Sequence, residues 1–496
     1  MSYFLKFLPT LLLFFSGIVG IVVVNDREHN SSSTKSAWSS ISDLYIIFGI
    51  FVAFLAGFAI YLPDRAFGVF GEQGAAFEVL LICGVIGSLF YLSFDDQIQR
   101  KRETATLILL ATAGGALLFV SVNFIELAIA LETLALSVYG LCAANLLSAR
   151  SSEAGIKYFF LGSFASLLIF YGMALAYGAY GSIGLLELGF RIESFPPSLL
   201  GKIGFGLLFL GILAKFGAAP MHYWVADAYQ GAPVSAFIFM LTVVKVTVFG
   251  ALIIILRTIA PNYQDLSDSL FWIVSVCSIL LGNLLALRQR SLVRMLAFSS
   301  IAQAGYLLAG LIALENDLRG VIYYLAFYLF AVLGVVFSFA AAGLKEDQII
   351  SLSKLRRSSP LLAVFMTFSF LGLAGLPPAL AGLFGKFFIF YPLIAKGWYG
   401  LVALALLGSG IGCYYYLRAV AAVYFLPIID NDLTEGDRIK DMSDNNNSQQ
   451  VEIAPYSVVA ESANPYCQPL TIASLAVCLI LLGLGFAPEA FWRIFS

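Results

Sequence analysis

The sequence Lys215-Phe216-Gly217-Ala218-Ala219-Pro220-Met221-His222 lies inside an apolar stretch that is long enough to cross a membrane. Proline ends a helix because it lacks the backbone donor, and glycine adopts backbone conformations that other residues avoid. In hydrocarbon, the carbonyl groups freed by such a break need partners from protein or from a wet cavity. A lysine at membrane depth is costly and marks a functional site. The stretch therefore predicts an interrupted transmembrane helix that carries a buried cation.

A second break is predicted at Pro377-Pro378, inside the apolar stretch 360–394. That stretch is too long for one straight span at 1.5 Å per residue. Two interrupted helices in the two halves of one chain are typical of a transporter built from inverted repeats.

The composition of the 496-residue chain agrees with a membrane protein, since 60% of the residues are hydrophobic, 12% are charged and the mean hydropathy is +0.91. Soluble proteins have about 25% charged residues. We therefore predict an all-α polytopic membrane protein of about fourteen transmembrane helices, with two of them broken. The predicted spans are 4–24, 43–61, 78–97, 105–123, 124–147, 156–179, 202–220, 232–256, 268–288, 294–314, 320–344, 360–394, 398–426 and 469–492.

Composition also excludes several functions. The net charge is −2 and the basic residues form no tract, which argues against nucleic acid as a partner. The six cysteines form no CxxC pair, and His29 and His222 are far apart in the sequence. Metal, haem and iron–sulfur sites need clustered ligands, so we expect no metal and no cofactor on this chain.

Lysine and arginine in short loops predict the orientation. They concentrate in odd-numbered loops, which places those loops on the negative side of the membrane and both termini on the positive side. The final odd loop, 427–468, is acidic and Asn-rich. We expect it to be a mobile, solvated segment, with docking of a neighbouring subunit as the alternative. The basic loop residues are Arg100, Lys101, Arg102, Arg288, Arg290, Arg294, Lys345, Lys354, Arg356 and Arg357.

Four ionisable residues fall at membrane depth: Glu132, Lys215, Lys245 and Lys386. Opposite charges stabilise each other's ionised forms when they are buried together, so groups of this kind can pass a proton by exchanging partners. Glu132 and Lys215 form the natural pair, with Lys245 and Lys386 as later stations. A fixed Glu132–Lys215 ion pair that only holds helices together is the alternative.

Other polar residues have less certain roles. Glu153 and Lys157 have the i, i+4 spacing of a helix-stabilising pair, with a relay role as the alternative. His222 could titrate near neutral pH or could hydrogen-bond the carbonyls freed at Pro220. Asp227 is expected to cap a helix, and Gln303 to hold water.

Several short stretches of the sequence together indicate a family. They are Leu131-Glu132, Glu153 to Phe159, Lys215 to Trp224, Asp227 to Pro233, Lys245, Gly282-Asn283, Arg294 to Ile301, Gly375 to Pro378, Gly385 to Phe387 and Cys413 to Arg418. These stretches resemble the antiporter-like membrane subunits of respiratory complex I, NADH:quinone oxidoreductase, and in particular subunit 2, which is subunit N in bacteria. The resemblance covers about residues 100–425 and depends on the stretches occurring together and in order.

The resemblance implies fourteen helices, with two inverted five-helix repeats formed by spans 4–8 and 9–13. The implied divisions are 1–100 for helices 1–3, 101–257 and 258–426 for the two repeats, 427–468 for the acidic loop and 469–496 for the last helix. The family's pattern implies one proton channel, in which Glu132 pairs with Lys215, Lys245 connects and Lys386 is the terminal proton carrier. Lys157 and His222 are supporting polar groups.

The resemblance further implies that NADH, FMN, iron–sulfur clusters and quinone are bound by other subunits. The expected partners are other membrane-arm subunits, including further antiporter-like subunits, and lipids; the expected location is the mitochondrial inner membrane or the bacterial plasma membrane. Gln303 departs from the family, in which many members carry histidine. A cation/proton antiporter subunit, the related plastid or cyanobacterial complex, and a structural membrane scaffold remain alternatives.

Overall fold

A computed structural model describes residues 2–25, 35–59, 73–95, 98–313, 317–343, 347–426 and 467–493, and these residues are almost entirely helical. Residues 427–466 of the loop that was predicted to be mobile lie outside the described residues. In chain order the helices are α1 Ser2–Asn25, α2 Lys35–Ala59, α3 Gly74–Phe94, α4 Lys101–Val120, α5 Phe124–Cys142, α6 Ala149–Tyr180, α7 Leu185–Ser194, α8 Leu199–Phe216, α9 Tyr223–Gly231, α10 Val234–Phe239, α11 Lys245–Leu287, α12 Leu292–Ile312, α13 Arg319–Ala341, α14 Leu355–Ser358, α15 Pro360–Ala374, α16 Leu380–Ala395, α17 Tyr399–Phe425, α18 Cys467–Phe486 and α19 Pro488–Arg493.

Each of the fourteen predicted spans contains a helix, so the predicted fold class is confirmed. Eleven helical segments in the described part of the chain are long and apolar enough to cross a membrane. The stretch 360–394 is divided into α15 and α16 at the predicted break. A π-helical turn, Met240–Val244, joins α10 to α11, which brings 234–259 together as one span.

The two halves of the chain repeat a small structural feature. Asn123 caps the start of α5 and forms an isolated antiparallel bridge with Gly184, the residue before α7. Ser291 caps the start of α12 and forms the same bridge with Gln348, the residue before a short 3-10 helix. The α5 and α12 regions are therefore equivalent in the two repeats.

The exact division between the repeats stays a prediction. The predicted boundary between 257 and 258 lies in α11, a little before Tyr263, whose φ of −125° and ψ of 17° interrupt the helical backbone. This kink separates the span 234–259 from the span 262–287.

Glycines allow the helices around the site to pack closely. A Cβ on Gly172 of α6 would lie 2.6 Å from the backbone nitrogen of Leu208 in α8. In the second half, a Cβ on Gly282 of α11 would lie 2.6 Å from the backbone nitrogen of Ala302 in α12. Small residues permit such backbone approach, which is a main source of packing energy between helices in lipid.

Candidate functional site

The first break leaves the carbonyl group of Phe216 at the end of α8. The chain turns there because Gly217 has a φ of 72°, and the Ala219–Pro220 peptide bond that follows is cis. Lys245 Nζ donates a hydrogen bond of 2.9 Å to the Phe216 carbonyl oxygen. The carboxyl end of a helix carries partial negative charge, which an ammonium group stabilises. The freed carbonyl is thus satisfied by a lysine from α11.

The second break has the same geometry. Here α15 ends at Ala374, Gly375 has a φ of 82°, and the Pro377–Pro378 bond is cis. Lys386 Nζ donates a hydrogen bond of 2.8 Å to the Ala374 carbonyl oxygen and one of 2.7 Å to Ser409 Oγ. Each break therefore holds a buried ammonium group on the carbonyl that precedes its left-handed glycine.

The structure brings Glu132 and Lys215 together. Lys215 Nζ lies 3.1 Å from Glu132 Oε1, and Ser166 Oγ donates a hydrogen bond of 2.6 Å to the same oxygen. The Lys215 side chain is 7% exposed and that of Glu132 is 26% exposed. The predicted pair thus sits mostly out of solvent, with the carboxylate as its more accessible member.

A group of buried polar side chains on α12, α13 and α17 lies beyond Lys245. Lys245 Nζ donates to the Ser300 carbonyl oxygen at 3.3 Å. The hydroxyl of Tyr416 lies 2.6 Å from Ser299 Oγ and accepts a longer hydrogen bond, 3.4 Å, from Gln303 Nε2. Tyr324 donates its hydroxyl hydrogen to Gln303 Oε1. Gln303, which we expected to hold water, therefore bridges two tyrosines directly.

This polar group ends near Lys386. The ammonium nitrogen of Lys386 lies 5.6 Å from the centre of the Tyr306 ring, and the Tyr306 ring centre is 6.4 Å from that of Tyr324. Among the ion pairs of the described residues, none includes Lys386 or Lys245. Both lysines are therefore held by carbonyls, a hydroxyl and aromatic faces, and Lys215 alone of the three has a carboxylate partner.

Lys157 and His222 lie outside the contacts that connect these four residues. Lys157 forms the predicted pair with Glu153 at 2.8 Å and a second ion pair with Asp227 at 3.1 Å. His222 precedes α9, its ring stacks on Tyr223, and its buried Nδ1 has no hydrogen-bond partner among the described residues. The Phe216 carbonyl receives Lys245, whereas His222 has a backbone hydrogen bond with Pro220, so its expected role at the carbonyls freed by the break stays a prediction.

The expected capping role of Asp227 is wrong. Asp227 lies in the middle of α9, where its carboxylate binds Lys157 and, at 3.0 Å, Arg294. Sequence reasoning placed Arg294 in a basic loop and in a family stretch, but assigned it no partner. It also missed Ser166, Ser409 and Tyr416, because serine and tyrosine are common in membrane helices and only the folded chain brings them to charged groups.

The fold and the site define a class of protein. A polytopic helical membrane protein with two repeats, each containing a broken helix with a buried lysine at the break, has the architecture of antiporter-like ion translocators.

Comparisons with known proteins give the family. The sequence pattern described as "NADH:quinone oxidoreductase/Mrp antiporter, TM" matches residues 121–412. NADH-quinone oxidoreductase subunit N of Trichlorobacter lovleyi is 32% identical over 431 residues, covering 85% of this chain and 87% of that protein. The subunit N of Moorella thermoacetica is 37% identical over 359 residues, covering 71% and 75%. This chain belongs to the NADH:quinone oxidoreductase subunit N family.

Solved structures agree with this membership. A chain of respiratory complex I from Thermus thermophilus, in a structure with bound aureothin, is 27% identical and superposes with a TM-score of 0.75, covering 97% of both chains. A chain of the Mrp complex from Dietzia superposes with a TM-score of 0.74 at 18% identity, which shows a shared fold.

Proposed function

We propose that this chain moves protons across the membrane as a membrane-arm subunit of NADH:quinone oxidoreductase, with Glu132, Lys215, Lys245 and Lys386 as the proton relay. The observation that carries the proposal is the meeting of two lysines at the end of α8. Lys215 is paired with Glu132, and the carbonyl of the next residue, Phe216, holds Lys245. A proton leaving Lys215 therefore has an acceptor that is anchored to the adjacent residue.

The Glu132–Lys215 ion pair controls when the proton leaves Lys215. While Glu132 is ionised and close, it stabilises the proton on Lys215. When the carboxylate is neutralised or moves away, a buried ammonium loses its counter-charge, and its proton is driven towards a neutral neighbour. Lys245 can receive the proton when its side chain is the neutral amine, and it can release the proton again because carbonyls and an aromatic ring hold it instead of a carboxylate.

The hydroxyl and amide groups beyond Lys245 continue the path. Tyrosine and serine hydroxyls both donate and accept hydrogen bonds, so a row of them can pass a proton without any of them becoming charged. Ser299 and Tyr416 are joined in this way, and Gln303, which does not itself carry the proton, holds Tyr416 and Tyr324 in place through its amide. Lys386 is the last ionisable group of the path, and we propose that it releases the proton towards the positive side.

The driving signal comes from redox chemistry on other subunits in this proposal. NADH, FMN, iron–sulfur clusters and quinone would be bound there, and this chain would carry no cofactor. Its partners would be neighbouring membrane-arm subunits and lipids. With odd-numbered loops on the negative side, both termini would face the intermembrane space or the periplasm.

The experiment is proton pumping by the assembled complex in liposomes. Solubilised membranes are first resolved on a native gel, where this chain is expected to migrate with an NADH-oxidising assembly. Lys215→Met is then expected to lower NADH-driven proton uptake at least tenfold, on the scale of losing a charge at a transfer site. Lys202→Met, which removes an exposed lysine from the same helix, is the matched control. Normal pumping by the Lys215→Met complex would overturn the relay.

A cation/proton antiporter subunit is the second candidate, favoured by the shared fold of the Mrp complex. Migration of the chain with an antiporter assembly, and proton uptake driven by a sodium gradient instead of NADH, would establish it. If the chain is only a structural scaffold, Lys215→Met and Lys386→Met should both leave proton pumping unchanged.

A further inference from the structure

The short helix α9 is tied to both halves of the molecule by one carboxylate. Asp227 Oδ2 accepts a hydrogen bond of 3.1 Å from Lys157 Nζ on α6, in the first half. Asp227 Oδ1 accepts one of 3.0 Å from Arg294 Nη1 on α12, in the second half. The two oxygens of a single side chain thus connect helices from different repeats.

A second residue of α9 strengthens the connection to the second half. Gln230 lies three residues after Asp227, on the same face of the helix. Its Oε1 accepts from Arg294 at 3.0 Å, and its Nε2 donates to Asp347 Oδ2 at 3.3 Å. Asp347 in turn accepts a hydrogen bond of 2.5 Å from Ser291, which caps α12.

The carboxylate keeps its charge at neutral pH. Burial by itself would raise the pKa of Asp227, but the hydrogen bonds from Arg294 and Lys157 outweigh it and lower the pKa below its ordinary value. The side chains of all three residues are between 31% and 43% exposed. Exposed ion pairs contribute little to stability, so changing Asp227 should leave the fold intact and its effect on pumping can be measured.

The same helix α9 touches the backbone that carries Lys215. Trp224 Nε1 donates a hydrogen bond of 3.1 Å to the carbonyl oxygen of Ala214, the residue before Lys215. The Trp224 ring also stacks on Tyr158, next to Lys157, with ring centres 4.4 Å apart. A shift of α9 would therefore move a hydrogen-bond partner of the peptide adjacent to Lys215.

We infer that Asp227 is a positioning residue for the relay: it holds α9 between Lys157 and Arg294, and α9 in turn orients Lys215 through Trp224. The inference rests on the proposed function of Lys215. It assigns Lys157 a role through Asp227, in place of direct proton transfer, and gives Arg294 the task of coupling the second repeat to the break of the first.

The test measures proton uptake and NADH oxidation by assembled complexes in liposomes, for Asp227→Asn, Asp227→Glu and Lys215→Met. Asp227 lines an open polar cavity of about 320 Å³, where an amide is readily solvated, so Asp227→Asn should assemble. We expect Asp227→Asn to lower the ratio of protons to NADH about threefold to tenfold, a size found for residues that modulate coupling. Asp227→Glu keeps the charge and should restore at least half of the ratio.

Asp317→Asn is the matched control, because it breaks another aspartate–arginine pair, with Arg319 at 2.7 Å, away from α9. It should pump like the unmodified complex. If Lys215→Met abolishes pumping while Asp227→Asn pumps normally, the inference is wrong and the relay stands. If Lys215→Met pumps normally, the proposed function itself fails. If the Asp227→Asn complex does not assemble, Arg294→Gln is measured instead. We expect it to lower the ratio of protons to NADH about twofold to fivefold. An unchanged ratio would overturn the inference.

The role of Lys157 is tested by combining variants. If Lys157 acts through Asp227, Lys157→Met lowers pumping in the unmodified chain but adds little in the Asp227→Asn background, since residues of one network are not additive. Losses that multiply in the double variant would show that Lys157 acts independently of Asp227, which contradicts the inference.

Discussion

The two broken helices share one backbone geometry and differ in their charges. Both end at a left-handed glycine, and both present the preceding carbonyl to a lysine ammonium, Lys245 at Phe216 and Lys386 at Ala374. The first break also has the Lys215–Glu132 ion pair, in which Lys215 lies two residues before the left-handed glycine. The second break has Leu373 at the equivalent position, two residues before Gly375.

Because only the first break has an ion pair, we assign the two breaks different roles in the proposed relay. A helix end with an unsatisfied carbonyl is a site for a cation wherever it occurs, because the partial negative charge of the helix is concentrated there. A carboxylate partner adds an interaction whose strength changes greatly with distance and protonation in a poorly solvated environment. We therefore regard the first break as the controlled step of the proposed relay and the second as a holding site.

The largest expected effect comes from removing the carboxylate. Glu132→Gln leaves Lys215 buried without its counter-charge, which should destabilise the protein by about 3 kcal/mol and lower proton pumping at least tenfold. Adding Lys215→Met should recover most of the lost stability, since the unpaired charge is gone, but not the pumping. The measurements are the melting temperature and NADH-driven proton uptake of the purified complex. Recovered pumping in the double variant would mean that the pair only holds helices together.

The second break should respond differently. Lys386→Met removes a buried cation that has no carboxylate partner among the described residues, but it also removes the donor to the Ala374 carbonyl, so the melting temperature should fall, by less than in Glu132→Gln. Pumping should still fall about tenfold, because the proposed terminal carrier is lost. A drop in stability as large as that of Glu132→Gln would contradict the distinction between the two breaks.

An intermediate effect is expected at the tyrosines between the breaks. Tyr416→Phe removes the hydroxyl that lies between Ser299 and Gln303, and should lower pumping about threefold to tenfold through the loss of one proton-transfer group. The neighbouring Tyr414 provides the control, because its side chain is exposed. Tyr414→Phe should pump nearly normally; an equal loss in both variants would remove Tyr416 from the path.

The smallest effects should come from the two glycines. Alanine in the left-handed conformation costs about 1–2 kcal/mol at either position. At Gly217 the added Cβ would lie 2.7 Å from Val225 Cγ2, so Gly217→Ala should be the more destabilising variant. At Gly375 it would lie 3.2 Å from Lys386 Nζ, so Gly375→Ala should mainly slow pumping, by about twofold to fivefold. If Gly375→Ala is instead the more destabilising variant and Gly217→Ala the one that mainly slows pumping, Lys386 tolerates the added methyl group.

Local sequence features predicted the helices and their breaks well. A span needs only about twenty apolar residues, and a break needs only glycine and proline, so both are visible in a short window of sequence. The pairing of Glu132 with Lys215 was also predictable, because two isolated opposite charges at similar depth have few other partners.

Other contacts between distant segments were not predictable. The contacts of Gln303 with Tyr324 and Tyr416, which lie on two other helices, were not predicted, and its expected role in holding water stays a prediction. Asp227 was expected to cap a helix, and it binds lysine and arginine from both halves of the chain. Each of these contacts depends on how helices that are far apart in the sequence pack against one another, which the polar residues of one segment do not encode.

The amino-acid sequence by itself determined that this protein is a membrane-spanning helical bundle with two broken helices and four charged residues at membrane depth. It did so because hydrocarbon tolerates so few structures that composition and breaks are decisive. Only the tertiary structure decided that Lys245 and Lys386 cap the two broken helices, and that Asp227 joins the repeats. Carbonyl groups are present at every residue, and which of them is left free beside a lysine is settled only when the helices are packed.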